Sequence, residues 1–339
     1  MAPEGPRNGA LARRVSIQFV ADGDGRPRRT NASNWGHGLA SNPKAARRPL
    51  HPTPPCEGRG NEPVPRKNDV QKLDQMRPVT PSRTPAAYIG GKRSLAKRIT
   101  TLIETIPHGT YAEAFVGMGG IFLKRRSAPR SEVINDYSGD VANLFRILQR
   151  HYTPFMDMLR YQVTSRREFD RLKASNPVSL TDLERAARFL YLQRLAFGGR
   201  IGGNFGVSPR DGGRFNITRL GPLLEDIHER LAGVVIENRR WQDFVRLYDR
   251  PETLFYLDPP YWGGEDDYGK AMFSPAEFAE MAVALRGLRG RFIMSINDRP
   301  EIRELFAGFE LQEVDLSYTV AGGKHTKAAR ELIITAEKV

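Results

Sequence analysis

Asp258-Pro259-Pro260-Tyr261 follows directly on an apolar run, Thr253–Leu257, and places a carboxylate, two prolines and a phenol ring in four consecutive positions. Two prolines end a strand and fix a rigid turn. At the carboxyl edge of an open α/β sheet, such a turn lies where ligands bind. The chemistry it suits is alkylation of an aryl amine. The lone pair of that nitrogen is delocalised into its ring, and acceptors on the amino hydrogens help it pyramidalise and attack. Asp258 and the Pro259 carbonyl are the candidate acceptors, Pro260 stiffens the turn, and Tyr261 offers a face for stacking on a base. Direct transfer of this kind requires neither a covalent enzyme intermediate nor a metal. Cys56 is the single cysteine, which excludes an internal disulfide and a multi-cysteine zinc site.

Three further groups change the weight of that turn. Glu113-Ala114-Phe115-Val116-Gly117-Met118-Gly119-Gly120 ends an apolar run in glycines, which let the backbone approach a bound nucleotide and leave room for the next helix. Asp136 ends the next apolar run about 20 residues on, where an acid suits the hydroxyls of a ribose. Tyr88-Ile89-Gly90-Gly91-Lys92 precedes both; Lys92 could reach a carboxylate and Tyr88 could pack on a ligand. Taken singly, each also reads as an ordinary turn. Their order along the chain is what carries information.

The elements that must position these groups follow from periodicity. Leu95, Ile99, Leu102 and Ile103 have helical spacing, stopped by Pro107-His108-Gly109. Strands are predicted at Tyr111–Val116, Val133–Ile134, Val234–Glu237, Leu254–Leu257, Phe292–Ile296, Leu311–Leu316 and Glu331–Thr335. Helices are predicted at Gly139–Gln149, Ala186–Phe197, Pro275–Leu288 and Pro300–Phe306. Strands alternating with helices give an α/β, doubly wound, Rossmann-like sheet. Residues 151–231 are helical and arginine-rich without buried strands, and read as an insertion between the two parts of the sheet domain, 85–150 and 232–339.

Residues 1–84 hold 12 of the 24 prolines and 15 Lys and Arg against 7 Asp and Glu. Such a segment buries too little surface to offset its ordering entropy and is expected to be a disordered basic tail. Met76 is a candidate alternative start. Of the formal net charge of +13, the tail holds +8, so the remainder is only moderately basic. That fits an anionic partner without requiring one. No run approaches the roughly 18–20 apolar residues of a membrane span, and no secretory signal is evident.

The ordered set Gly-Gly-Lys, Phe-Val-Gly-Met-Gly, Asn-Asp, helical insertion, Asp-Pro-Pro-Tyr resembles the Dam-like adenine-specific DNA methyltransferases, in particular their alpha group. The resemblance spans roughly residues 86–337. Phe189–Arg194, Ser295–Asp298, Gly322–Lys324 and Glu331–Ile333 are similar to family segments as well. It implies a methyltransferase fold, S-adenosylmethionine as methyl donor, double-stranded DNA as substrate, and a flipped-out adenine methylated on N6. By matching position, it implies catalytic roles for Asp258, Pro259, Pro260 and Tyr261, and donor contacts at Tyr88, Lys92, Asp136 and Asp258. Glu113, Phe115, Gly117 and Gly119 join the donor site through the glycine motif. Within the insertion, arginines including Arg166, Arg167, Arg185, Arg194, Arg200 and Arg210 are candidate DNA contacts, as are Lys324, His325 and Lys327 in a late loop. A cognate restriction endonuclease is a candidate partner, and a cytoplasmic, nucleoid-associated protein of bacterial or phage origin is implied. Tyr88-Ile89 replaces the Trp-Ala of Dam, and 200–216 departs from its pattern, so the resemblance carries no recognition sequence. A ribosomal RNA base methyltransferase is the competing enzyme reading. Those usually set the Asp-Pro-Pro-Tyr turn nearer the glycines, whereas about 140 residues separate Gly117 from Asp258 here. A non-catalytic DNA-binding protein on the same scaffold is the competing reading of another class.

Overall fold

The computed structural model describes residues 76–206, 212–264, 273–319 and 326–336, with main chain only at 317–319 and 326–329. Residues 1–75, Arg210, Lys324 and His325 lie outside the described residues. The described chain opens with β1 (Arg77–Pro78), paired antiparallel with β3 (Ser127–Ala128). Val79 N donates to Arg126 O at 2.9 Å and Ser82 N to Leu123 O at 2.7 Å. Ordered packing therefore begins several residues before position 84. The proline-rich sequence hides this because its partners lie far along the chain, at Leu123–Ala128.

Among the described residues, seven strands form one sheet. They are β2 (Thr110–Glu113), β4 (Ser131–Asn135), β5 (Val235–Glu237), β6 (Thr253–Leu257), β7 (Arg291–Asn297), β8 (Glu310–Thr319) and β9 (Thr326–Thr335). Their spatial order is β5-β4-β2-β6-β7-β9-β8, the first five parallel and β9 antiparallel to both neighbours. All five residues of β6 are buried, as a central parallel strand requires. Its alternation divides the core. Leu254 and Tyr256 join Tyr111, Ile134 and Ile293 on one face, and Phe255 and Leu257 join Val133, Phe292 and Met294 on the other.

Helices α1 (Ala96–Thr105) and α2 (Gly139–Arg150) cover the first face. Helices α3 (Tyr152–Leu159), α4 (Arg166–Ala174), α5 (Asp182–Leu195) and α6 (Ile217–Arg230) follow in the insertion. Phe155, Phe169, Leu190 and Leu224 of the insertion share one continuous apolar cluster with Leu144 and Phe145 of α2. Helices α7 (Trp241–Tyr248), α8 (Pro275–Arg286) and α9 (Pro300–Leu305) cover the second face. Short and amphipathic, α7 has no sequence counterpart among the predicted helices; Trp241, Phe244 and Val245 bury it. Strand β2 stops at Glu113, earlier than the apolar run suggests. Ala114 N still bonds Tyr256 O at 3.0 Å and Val116 N bonds Asn135 O at 2.9 Å, so the chain stays tied to both neighbours while it turns. No helix of the described residues is long and apolar enough to cross a membrane.

Beneath the first face, buried Glu132 accepts from Arg125 Nη1 at 2.6 Å and from Arg230 Nη2 at 2.7 Å, with Oε2 taking Arg230 Nη1 at 2.8 Å. The Arg125 guanidinium lies 3.8 Å over the Tyr111 ring. Removing the acid strands two buried cations. Glu132→Ala is expected to cost about 3–5 kcal/mol in urea unfolding; a loss under about 1 kcal/mol would show that solvent replaces the carboxylate.

Candidate active site

Strand register builds the site. Glu113, the last residue of β2, stands opposite Ile134 of β4 on one side and Tyr256 of β6 on the other. Asp136 and Asp258 each lie two residues beyond those partners and therefore emerge level with each other, flanking the turn that follows Glu113. The chain leaves β2 for β4 on one side and returns to β6 on the other, the kind of crevice in which open α/β sheets bind ligands. A cavity of about 590 Å³ opens there, lined by Tyr88, Lys92, Glu113, Phe115, Gly117, Asp136, Asp258 and Pro260 among others.

Gly117 (φ +49°) needs to be glycine twice over: its backbone is left-handed, and a Cβ would come within 3.1 Å of the Tyr88 ring. At Gly119 (φ +75°) a Cβ would meet Leu123 at 2.9 Å. Half-buried Asp136 locks the turn, accepting from Gly117 N at 2.9 Å and Ser138 N at 2.8 Å. Burial pushes its carboxyl up to about 6, against the pull of those two N–H groups. Asn135 carries a role the sequence pattern did not reveal. Its amide donates to Ala114 O and Arg239 O, and its oxygen accepts from Arg239 N, so it joins the turn after β2 to the segment after β5. Phe115 packs edge-on against Phe273 with ring centroids 6.2 Å apart.

On the other side, the Lys92 carbonyl accepts the first helical hydrogen bonds of α1, from Leu95 N and Ala96 N, while its ammonium turns into the sheet edge. Lys92 Nζ stands 2.9 Å from Asp258 Oδ1 and 2.7 Å from the Tyr261 hydroxyl. It also lies 3.2 Å from Glu331 Oε2. Ser295 Oγ donates to Asp258 Oδ1 at 3.2 Å and shares a 2.7 Å hydrogen bond with the Tyr256 hydroxyl. Burial pushes the Asp258 carboxyl up to about 6 although Lys92 pulls it down. Asn297 clamps the exit of the turn: its Oδ1 accepts from Trp262 N at 2.9 Å and its Nδ2 donates to Trp262 O at 3.0 Å. The cavity wall includes Pro260 but not Pro259 or Tyr261, whose phenol is held by Lys92 and Glu331.

The insertion's arginines are distributed unevenly. Arg194 borders the cavity, but its guanidinium donates to Pro85 O at 2.6 Å and to Arg214 O at 3.0 and 3.2 Å. Arg185 pairs with Asp140 at 2.8 Å, and Arg166 lies 4.8 Å over the Phe205 ring. Arg200 is exposed on the turn after α5, beside exposed Phe197.

Glu113 is the most perturbed acid of the cavity. It accepts from the Tyr111 hydroxyl at 2.7 Å, and burial, reinforced by the charge of Asp258, pushes it up to about 8. The folded protein therefore holds a proton there that the unfolded chain releases near the ordinary glutamate value. Its stability contribution is complete below about 4.5 and is lost as pH rises through about 8. Glu113→Gln is expected to gain thermal stability over the parent progressively from pH 6 to pH 9. Parallel melting-temperature profiles for the two proteins would rule this out.

Residues 88–320 match the D12 class N6 adenine-specific DNA methyltransferase family. The Type II methyltransferase M.CviBI of Paramecium bursaria Chlorella virus NC1A is 23% identical over 237 residues, covering 68% of this chain and 89% of its own length. The Type II methyltransferase M1.LlaDCHI of Lactococcus lactis subsp. cremoris is 26% identical over 272 residues, covering 73% and 93%. A solved structure from Pyrococcus horikoshii, described as a candidate RNA methyltransferase, aligns over 71% of this chain and 80% of its own with a TM-score of 0.32 and 8% identity, too weak a likeness to bear on substrate. The glycine turn, the acid after β4 and the Asp-Pro-Pro-Tyr turn all fall within the matched segment, and the chain belongs to the D12 class of N6 adenine-specific DNA methyltransferases.

Proposed function

We propose that this chain carries out site-specific adenine methylation with S-adenosylmethionine held in the cavity between β2, β4 and β6, on an adenine turned out of duplex DNA. The observation that carries this reading is the placement of Asp258 and Asp136 on opposite sides of one glycine turn, facing one cavity. The residues fit the donor. The cavity lies within the roughly 300–1,000 Å³ of small-molecule sites, Tyr88 and Phe115 give it apolar walls, and Asp136 is an acceptor suited to ribose hydroxyls. Gly117 N, the group that a phosphate would seek, is already bonded to Asp136, which argues against a dinucleotide. Bound there, S-adenosylmethionine supplies an electrophilic methyl group on sulfonium, whose sulfur departs as a neutral thioether.

The chain's own residues do the rest. Asp258 Oδ1 takes Lys92 and Ser295, and Oδ2 is the oxygen we assign to one amino hydrogen of the adenine. The Pro259 carbonyl takes the other. As N6 gains the methyl group it becomes positive and gives up one amino hydrogen as a proton to Asp258, whose elevated affinity for protons suits it to receive one. Preorganised acceptors of this kind stabilise the developing charge without rearranging in the transition state. Tyr261 stacks on the base, and the buried prolines keep the turn from yielding. Extruding the adenine costs a few kcal/mol, which pocket contacts offset. The helical insertion, 151–231, supplies the target-recognition surface, with Arg200 at the exposed turn after α5. Arg210, Lys324 and His325 remain candidate phosphate contacts by sequence. M.CviBI and M1.LlaDCHI are Type II methyltransferases by name, and a cognate restriction endonuclease is the corresponding partner for this chain.

Methylation-aware sequencing of DNA from cells expressing the protein tests the reading as a whole: N6-methyladenine in one sequence context supports it, and unmodified adenine throughout rejects it. Asp258→Ala should lower kcat by at least about 10³-fold while the protein stays folded; near-parental turnover would remove Asp258 from the mechanism. Asp136→Ala should weaken S-adenosylmethionine binding about 10- to 100-fold by calorimetry, and an unchanged affinity would place the ribose elsewhere.

A further inference from the structure

Glu331 lies in β9, a strand with no part in the chemistry of the turn. It is 1% exposed, with Leu332, Ile333 and Ile334 after it equally buried. A carboxylate at the start of such a run is costly to desolvate, and an apolar side chain there would commonly be as stable or more so. Because β9 runs antiparallel to β7, Glu331 is level with Asn297 at the carboxyl edge of β7. From there its Oε2 accepts from Lys92 Nζ at 3.2 Å and its Oε1 accepts the Tyr261 hydroxyl. The Lys92 ammonium has three hydrogens, and the structure gives it three acceptors: Asp258, Glu331 and the Tyr261 hydroxyl. The two ends of the Asp258–Tyr261 turn thus meet through one cation and one carboxylate.

We infer that Glu331 is a positioning residue for methyl transfer, acting through Lys92 and Tyr261 to hold both ends of the Asp258–Tyr261 turn in the geometry that receives adenine. The inference rests on the proposed role of that turn. Glu331 shares the charge of Lys92, so Asp258 is not claimed by the ammonium alone and keeps its capacity to accept from the substrate. It also fixes the phenol oxygen and with it the plane of the ring that stacks on the base. Such an arrangement needs no movement when substrate arrives.

The groups facing Asp258 are Lys92 from the loop before α1, Glu113 from β2, Tyr256 from β6, Ser295 from β7, Tyr261 from the turn itself and Glu331 from β9. Glu331 raises the proton affinity of Asp258 and Lys92 lowers it. Burial, the main cause of the elevated proton affinity, persists when Glu331 is neutralised, but one of the groups opposing Lys92 is removed, so Asp258 becomes protonated at lower pH than in the parent.

The test compares the full chain with Glu331→Gln, using duplex DNA that carries the sequence context found by methylation-aware sequencing. Expected for the variant are a kcat about 100-fold lower, KM for DNA and calorimetric Kd for S-adenosylmethionine each within about 3-fold, and an acid limb of the kcat profile displaced to lower pH. A kcat within about 3-fold of the parent, or an acid limb that stays in place, overturns the assignment. If melting shows that E331Q does not fold, Y261F decides: it keeps the ring and loses the phenol anchor. It should lower kcat about 10-fold, and unchanged turnover overturns the role. Where both fold, the loss caused by E331Q should shrink in the Y261F background, because the two act as a unit. The parent run alongside separates the two ideas. An inert parent rejects the reading of the site, whereas an active parent matched by E331Q rejects only the role of Glu331.

Discussion

A single buried ammonium joins the parts of this site. Lys92 is 4% exposed, and its hydrogen bonds reach a turn and a strand that lie 169 and 239 residues further along the chain. A buried ammonium is tolerated where acceptors replace water around it, and here those acceptors are Asp258, Glu331 and the Tyr261 hydroxyl. The loop that starts α1, the turn after β6 and the start of the buried part of β9 must all be in register before that demand is met. The arrangement around Lys92 is consequently a property of the finished sheet, and no local segment holds it alone.

The acids that line the cavity are governed by desolvation. Glu113, Asp136 and Asp258 are all pushed upward by burial, to about 8, 6 and 6. Glu113 keeps its proton at neutral pH, whereas Asp136 and Asp258 offer carboxylate oxygens that suit amino and hydroxyl donors. Gly117 N of the glycine turn is committed to Asp136, whereas in many doubly wound folds the N–H groups of this edge cradle a pyrophosphate. The fold is shared widely, and the site distinguishes this chain.

Much of this was legible in the sequence because the signals are local. An apolar run followed by Asp-Pro-Pro-Tyr announces both strand β6 and its end; glycines after a strand announce a close approach, and the structure supplies its reason in the Tyr88 ring beside Gly117. The acid after β4 could be placed by spacing alone. What escaped notice depends on pairing across long separations. The role of Glu331 exists only because β9 runs antiparallel beside β7, and that of Asn135 because β5 brings Arg239 alongside. Arg77–Pro78 reads as tail until its partner at Ser127–Ala128 is known. Arg194 illustrates the same limit differently. Composition makes each arginine in the insertion no more than a candidate phosphate contact, and it does not show that the Arg194 guanidinium reaches backbone carbonyls of two separate segments.

That use of Arg194 bears on how the insertion meets the cavity. Together with Gln193, whose amide donates to Ala87 O at 2.8 Å, it fastens α5 to the Pro85–Ala87 segment. The next residue, Tyr88, lies against the glycine turn, and Lys92 comes four positions later. The insertion is therefore joined to the sheet domain both by its apolar cluster with α2 and by these hydrogen bonds beside the cavity. Packed interiors transmit small displacements because they resist compression. The position of α5 is thus tied to the Pro85–Ala87 segment, which leads directly into Tyr88 of the cavity wall.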